Sequence, residues 1–410
     1  MAIGCFRMLL CLPYRVFVSI IVFLVFVLCY RTVSAIAAPN SHHKSDLRLS
    51  ASGDVEVGRI YSLLEMEPFN VEKIKYKKLV TYTDNFSESN YIGRFQFGKL
   101  YRGQIPNLRI AKYLVVKIWE TIPEIYNYKP GDNKLRLMKE TILLRHEMVL
   151  NHPGIVKLYG FCIEGQNLIV VYYVKAFDSV YNLIPKDGFT WLQRIKAAFG
   201  LASVLKFLHS GNSAFYKPFI VQNLDAAHIV LDEEYNPKLC DFGMISGGIF
   251  PCRRTYSDHQ HVIGCYGYTD IDASSKGHCS NKQDVFAFGV ILLSLISKRV
   301  YTEEDRRAGA PFVYEWAIRE FKEANADELN EATDFSLVHK SLAGEYDFCP
   351  GDGHKITMLA LECVVKAENE RPTMKQIFRS MRKLEVVKQH ADYVGANKVL
   401  CPYDPCDVDW

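Results

Sequence analysis

Apolar positions change their rhythm several times along this chain. Residues 16–30, VFVSIIVFLVFVLCY, form an unbroken apolar run between Arg15 and Arg31, with no amphipathic period. Residues 36–70 mix small, polar and charged types without periodicity and read as a linker. From about residue 74 the pattern sharpens. LVVKIWE (114–120) and LIVVYYV (168–174) have the β-branched, continuous apolar character of buried strands. KLRLMKETILLRHEMVL (134–150) and WLQRIKAAFGLASVLKFLH (191–209) place apolar residues three to four apart and predict helices. DVFAFGVILLSLIS (284–297) and KITMLALECVVK (355–366) read as buried helices. Strands cluster early and helices late, with no internal repeat. That order predicts an α+β protein with a small sheet-rich lobe followed by a larger helical lobe.

The apolar run at 16–30 admits two readings. A membrane-spanning helix wants about 20 apolar residues, and flanking arginines together with MLLCLPY (8–14) extend a short run toward that length. A cleaved signal peptide is the alternative, because VSAIAAPN (33–40) offers small residues at cleavage positions. The anchor is favoured, since the linker leaves no room for an ectodomain and the chain beyond it has cytosolic character. Four segments result: 1–35 an anchor or signal, 36–73 a linker, 74–390 the folded domain, and 391–410 a polar tail expected to be disordered. With a cleaved signal the chain would instead be a secreted binding protein.

Composition narrows the function classes. A net charge of +3 on 410 residues, evenly spread, excludes a nucleic-acid-binding surface as the main role. The 12 cysteines are scattered, and the close pair outside the N-terminal segment, Cys401 and Cys406, lacks a second Cys/His pair for a zinc module. Free thiols in a reducing compartment are the reading.

The chemistry-bearing motifs fall in one order. IGRFQFGKLYRG (92–103) is a glycine-containing hairpin, followed by Lys117 in VVKIWE, Glu140 in LMKETILL with Glu147 as runner-up, YGFCIEGQNLIVVYYVKAF (159–177), VQNLDAAHIVLD (221–232), DFG (241–243), GCYGYTDID (264–272) and NERPTM (369–374). Over about residues 74–386 this series resembles the plant receptor-like protein kinases and their cytoplasmic relatives. The resemblance implies a two-lobed protein-kinase-like fold that takes ATP and Mg²⁺. It puts Gly93 and Gly98 in the phosphate loop, Lys117 on the α- and β-phosphates with Glu140 as its partner, Tyr172 as gatekeeper, Tyr173, Val174 and Lys175 in the adenine-binding hinge, and Asp241 on the metal. Asp272 is expected to pair with Arg371, and Asp284 to cap the catalytic-loop backbone.

The sequence departs from that family where the reaction happens. The loop's second glycine is Phe95, and His-Arg-Asp becomes Val221, Gln222, Asn223. The lysine two residues on is Asp225, and the metal-binding asparagine is His228. Asn223 cannot take up the substrate proton, a contribution worth about 10²–10⁴-fold. Asp225 brings negative charge to where negative charge develops, and an imidazole suits zinc or copper better than Mg²⁺. Gln222 carries no charge to meet a phosphorylated Thr255, Tyr256 or Ser257. Together these residues predict a pseudokinase that docks to an active receptor or cytoplasmic kinase, or to its protein substrates, with ATP binding through Lys117, Glu140 and Asp241 left open. The alternative is a slow serine/threonine kinase.

Overall fold

The computed structural model describes residues 71–95, 97–106, 112–120, 132–210, 217–250, 265–270, 280–325 and 335–398. Residues 1–58 separate from 59–410 as a unit of their own, and every described residue belongs to the second unit. The apolar run, Thr255, Tyr256, Ser257, Asp272 and the tail from 399 lie outside the described residues.

The first lobe is built on a six-stranded sheet in the order β1-β5-β6-β4-β3-β2. Its strands are β1 (Glu72–Lys73), β2 (Tyr91–Phe95), β3 (Gly98–Ile105), β4 (Lys112–Trp119), β5 (Lys157–Glu164) and β6 (Asn167–Tyr173). Only the β1–β5 pair is parallel; the other pairs are antiparallel. β4 lies between β3 and β6, and Leu114 to Lys117 are all buried, which explains the unbroken apolar run there. Helix α1 (Asp132–Arg145) supplies Glu140. The helix expected over 134–150 is interrupted. His146 leaves helical geometry and caps a separate turn, Glu147–Leu150, with its ring accepting from the Met148 N–H at 3.4 Å.

The second lobe is helical. Helix α2 (Trp191–His209) begins at a capping box in which Thr190 and Gln193 satisfy each other's backbone N–H groups. Within it Arg194 is buried, and its guanidinium donates to the carbonyls of Phe189 (2.6 Å), Leu295 (2.9 Å), Ile184 (2.8 Å) and Lys186 (2.9 Å). Burial pulls this guanidinium down to about 10, so those carbonyls are what make its place in the core tolerable. Helix α3 (Asn281–Ser297) packs on α4 (Pro350–Cys363) so closely that a Cβ on Gly289 would lie 2.5 Å from the Cys363 Cβ.

Short elements stand at both ends of the described part of the domain. β1 starts at Glu72, and α7 (Ala391–Val394), which follows α5 (Met374–Arg382) and α6 (Glu385–Gln389), buries Val394 against the domain. α6 is held from behind. The buried Asp352 of α4 accepts the N–H groups of Glu385 and Val386, both at 2.8 Å, capping α6 with a side chain distant in sequence.

Candidate functional site

Strand alternation sets the first wall of the site. Lys117 and Trp119 are two apart on β4 and share a face. Phe95 of β2 pairs with Gly98 of β3, and Gly98 pairs with Trp119, so the three form one row across the sheet. The glycine leaves room in the middle of that row. A Cβ there would stand 1.9 Å from the Ile118 carbonyl oxygen and 3.0 Å from the Phe95 ring tip. Across it the Phe95 and Trp119 rings meet edge-on at 6.2 Å, and both are buried. Lys117 Nζ lies 4.0 Å from the Trp119 ring centre and 4.9 Å from that of Phe95. Gly93 has open space around its Cα, so no close approach requires a glycine at that position.

Lys117 is fully buried and meets two carboxylates, Glu140 at 2.5 Å and Asp241. Of the two acidic residues named from sequence, Glu140 is the one that reaches it. Glu140 also accepts from the Tyr172 hydroxyl and from the Phe242 N–H at 3.1 Å. Burial pushes the Glu140 carboxyl up against the pull of Lys117, and the nearby Asp241 pushes the same way. Burial would also raise Asp241, but Lys117 and His228 outweigh it and hold Asp241 below the usual carboxylate range. Asp241 stands at φ 65°, in the left-handed region that disfavours a side chain, so the fold imposes a local strain to aim this carboxylate.

The loop of the second lobe completes the site. Asp284, buried on α3, accepts from the N–H groups of Val221 (2.8 Å) and Gln222 (2.9 Å) and contacts His209 Nε2 at 2.9 Å. That clamp holds Gln222 at φ 69°. Asn223 turns its amide toward Asp241, donating to Oδ2 at 3.0 Å. Asp225 does not point at a reaction centre as a free charge. Its Oδ1 accepts from Ala227 N (2.7 Å) and His228 N (3.0 Å), which makes it the N-cap of a short 3₁₀ turn. His228 is fully buried, with Nδ1 2.6 Å from the Asn223 carbonyl and Nε2 3.2 Å from Asp241 Oδ2. The Phe95 ring lies 6.0 Å from the His228 ring and so reaches from Lys117 to the catalytic loop.

These residues lie in a stretch of sequence shared with known proteins. The sequence profile described as protein tyrosine and serine/threonine kinase matches residues 86–381. The chain belongs to that kinase family. It is similar to the probable serine/threonine-protein kinase PBL16 of Arabidopsis thaliana, 30% identical over 330 residues that cover 77% of this chain and 74% of the relative. It is also similar to receptor-like cytoplasmic kinase 176 of Oryza sativa subsp. japonica, 27% identical over 376 residues, 90% of this chain and 89% of the relative. Protein kinase STUNTED of Arabidopsis thaliana is 31% identical over 312 residues, but the matched part is only 45% of that protein.

Kinases of this family generally use ATP and Mg²⁺; here Lys117, paired with Glu140, and Asp241 stand in the positions that would hold phosphate and a metal, and Phe95 and His228 change what surrounds them. Lys117 is bonded to two carboxylates under two aromatic rings, and one of those rings, Phe95, lies 6.0 Å from the His228 ring. In place of a family asparagine, His228 offers a nitrogen where Mg²⁺ prefers oxygen.

The remaining residues named from sequence are spread over the hinge and the base of the helical lobe. Tyr173 ends β6 half exposed, and Val174 follows it beside the core. Lys175 pairs with Glu233 at 2.7 Å on the surface. Arg371 is buried against Asp270 and donates to the Val365 (2.9 Å) and Lys282 (3.2 Å) carbonyls, and the Asp272 expected to pair with it lies outside the described residues. Sequence reasoning passed over Trp119, Cys265 and Asp270. Period-two alternation from Lys117 was a sufficient signal for Trp119; none pointed to the other two. The described cysteines Cys162, Cys240, Cys265, Cys349 and Cys363 form no disulfide. Among the described residues no helix is long and apolar enough to cross a membrane.

Proposed function

We propose that this chain is a pseudokinase of the receptor-like cytoplasmic kinase type, a kinase-shaped module that regulates an active kinase, or that kinase's substrates, by docking. The observation that carries this reading is Asn223. The residue in the place of the catalytic base donates its amide to the metal-binding aspartate instead of presenting a carboxylate to a substrate hydroxyl. Phe95 over Lys117 supports it, because the phosphate loop lies on the lysine as an apolar plug. Docking shifts a partner's conformational equilibrium through differential contacts and needs no chemistry. The N-terminal apolar run would hold the domain at the cytoplasmic face of the plasma membrane.

The test is a thermal-shift titration of the full-length chain with ATP, with and without Mg²⁺ or Mn²⁺, alongside a sensitive phosphotransfer assay. No change in Tm at millimolar ATP and no phosphate transfer are expected. A metal-dependent rise in Tm with transfer would establish the second reading, a slow serine/threonine kinase. That reading is favoured by the Lys117–Glu140 pair and by Asp241 standing in the family's positions. Cell fractionation with sequencing of the mature N-terminus tests the anchor: an intact Met1 in the membrane fraction supports it, and a cleaved chain in the medium would mean secretion.

A further inference from the structure

The catalytic loop has exchanged its phosphotransfer residues for a different set of ligands. Asp225, His228 and Cys265 are all buried, and one potential ligand atom from each lies within 4.8 Å of the others. Carboxylate, imidazole and thiol together are the donor set of zinc-class ions, not of Mg²⁺. Around a tetrahedral zinc, ligand atoms stand roughly 3.3–3.8 Å apart, so side-chain shifts of about 1 Å would close the cluster.

Two features show that the ligands are already oriented. The Asn223 carbonyl can only accept, so the 2.6 Å contact fixes the hydrogen on His228 Nδ1 and leaves Nε2 facing the cluster. Asp225 Oδ1 is occupied by two backbone N–H groups, which leaves Oδ2, 3.8 Å from His228 Nε2, directed at the same point. An independent observation comes from buried atoms lacking a partner. His228 Nε2 makes no hydrogen bond, although Asp241 Oδ2 is 3.2 Å away, and the buried Asn223 Oδ1 has no donor among the described residues. Charge agrees: the buried carboxylates of Glu140 and Asp241 share the ammonium of Lys117, Asp225 adds a further buried carboxylate beside His228, and a divalent cation would reduce that excess.

We propose that Asp225, His228 and Cys265 form a binding site for a zinc-class divalent transition metal, with Asp241 as the neighbouring carboxylate. Binding replaces the Cys265 thiol proton, which leaves to solvent, with a sulfur–metal bond. The ion would pin the loop at 223–228 to the segment carrying Cys265, a structural use of a place that other kinases use for chemistry. The site goes beyond the docking reading and does not depend on it, since phosphate transfer would overturn that reading without bearing on zinc.

The experiment uses the full-length chain, stripped with a chelator, dialysed against Zn²⁺ and passed over a chelating resin before metal analysis. One equivalent of zinc per chain is expected, falling several-fold in Cys265→Ser and in Asp225→Asn. Asp225→Asn keeps an N-cap acceptor and guards against loss through misfolding. Cys363→Ala, a buried cysteine elsewhere in the fold, should retain the metal. Loading Co²⁺ instead should give a thiolate-to-metal charge-transfer band that disappears in Cys265→Ser. Absence of retained zinc, or equal zinc in wild type and both site variants, would overturn the proposal, the latter marking an adventitious ion on other residues.

Discussion

Asn223 and Asp241 face each other at 3.0 Å, amide nitrogen to carboxylate oxygen. In a phosphotransferase two carboxylates would face a metal and a hydroxyl from these positions. Here one has become the donor to the other, while the oxygen of the same Asn223 amide is buried with no donor among the described residues.

Restoring the carboxylate should therefore harm this fold. Asn223→Asp removes a donor and sets like charges in contact, and is expected to destabilise the domain by about 1–3 kcal/mol without producing phosphotransfer. Chemical denaturation and a radiolabelled ATP assay check the two halves. Faster phosphotransfer in this variant would contradict the docking reading.

Phe95→Gly removes the ring that covers Lys117 and should lower stability by about 3 kcal/mol, as expected for losing a packed phenyl group. It should also open the phosphate loop, so that an ATP-dependent rise in Tm, absent in wild type, becomes measurable. A variant that loses stability and still ignores ATP would place the obstruction elsewhere.

Lys117→Met tests the lysine as a structural cation. It leaves Glu140 and Asp241 buried without their shared counter-ion, and removing one partner of such a group destabilises by about 3–5 kcal/mol. The loss should appear in nucleotide-free denaturation curves, which a residue serving only ATP would leave unchanged.

Acid sensitivity should be traceable to His152. Its ring is stacked on Phe207 at 4.5 Å, and Nδ1 accepts from the Gly154 N–H at 3.1 Å. Burial, assisted by Lys238, pulls it down to about 4 from the ordinary 6.5. The unfolded chain thus takes up a proton that the folded one refuses, and stability falls as pH drops from 6.5 toward 4, by about 3 kcal/mol in all. His152→Asn keeps an acceptor for Gly154 and should flatten the acid limb of a stability–pH profile over that window.

Legibility in the sequence followed the range of the physics. The sheet and the long helices were readable because burial imposes local periods, and the 191–209 helix even carries its own start signal in Thr190 and Gln193. The break at His146 was not, since the apolar spacing continues across it while the backbone leaves helical geometry and the ring caps a new turn. At the site, motif spacing named Lys117, Glu140 and Asp241. It did not reveal that Phe95 folds inward, which depends on Gly98 leaving space between two strands. Cys265 escaped notice for the same reason: it joins Asp225 and His228 only through tertiary structure.

Asp352 has a consequence for where the domain can be cut. The family match stops at 381, yet this carboxylate lies in the core and is satisfied by the backbone of residues 385 and 386. A chain trimmed at the family boundary would keep the acceptor and discard its donors, leaving a buried anion to draw water into the base of the helical lobe. The segment at 385–394 is thus the last stitch of this fold rather than a trailing appendage, and a protease that removed it would loosen the helical lobe at its base.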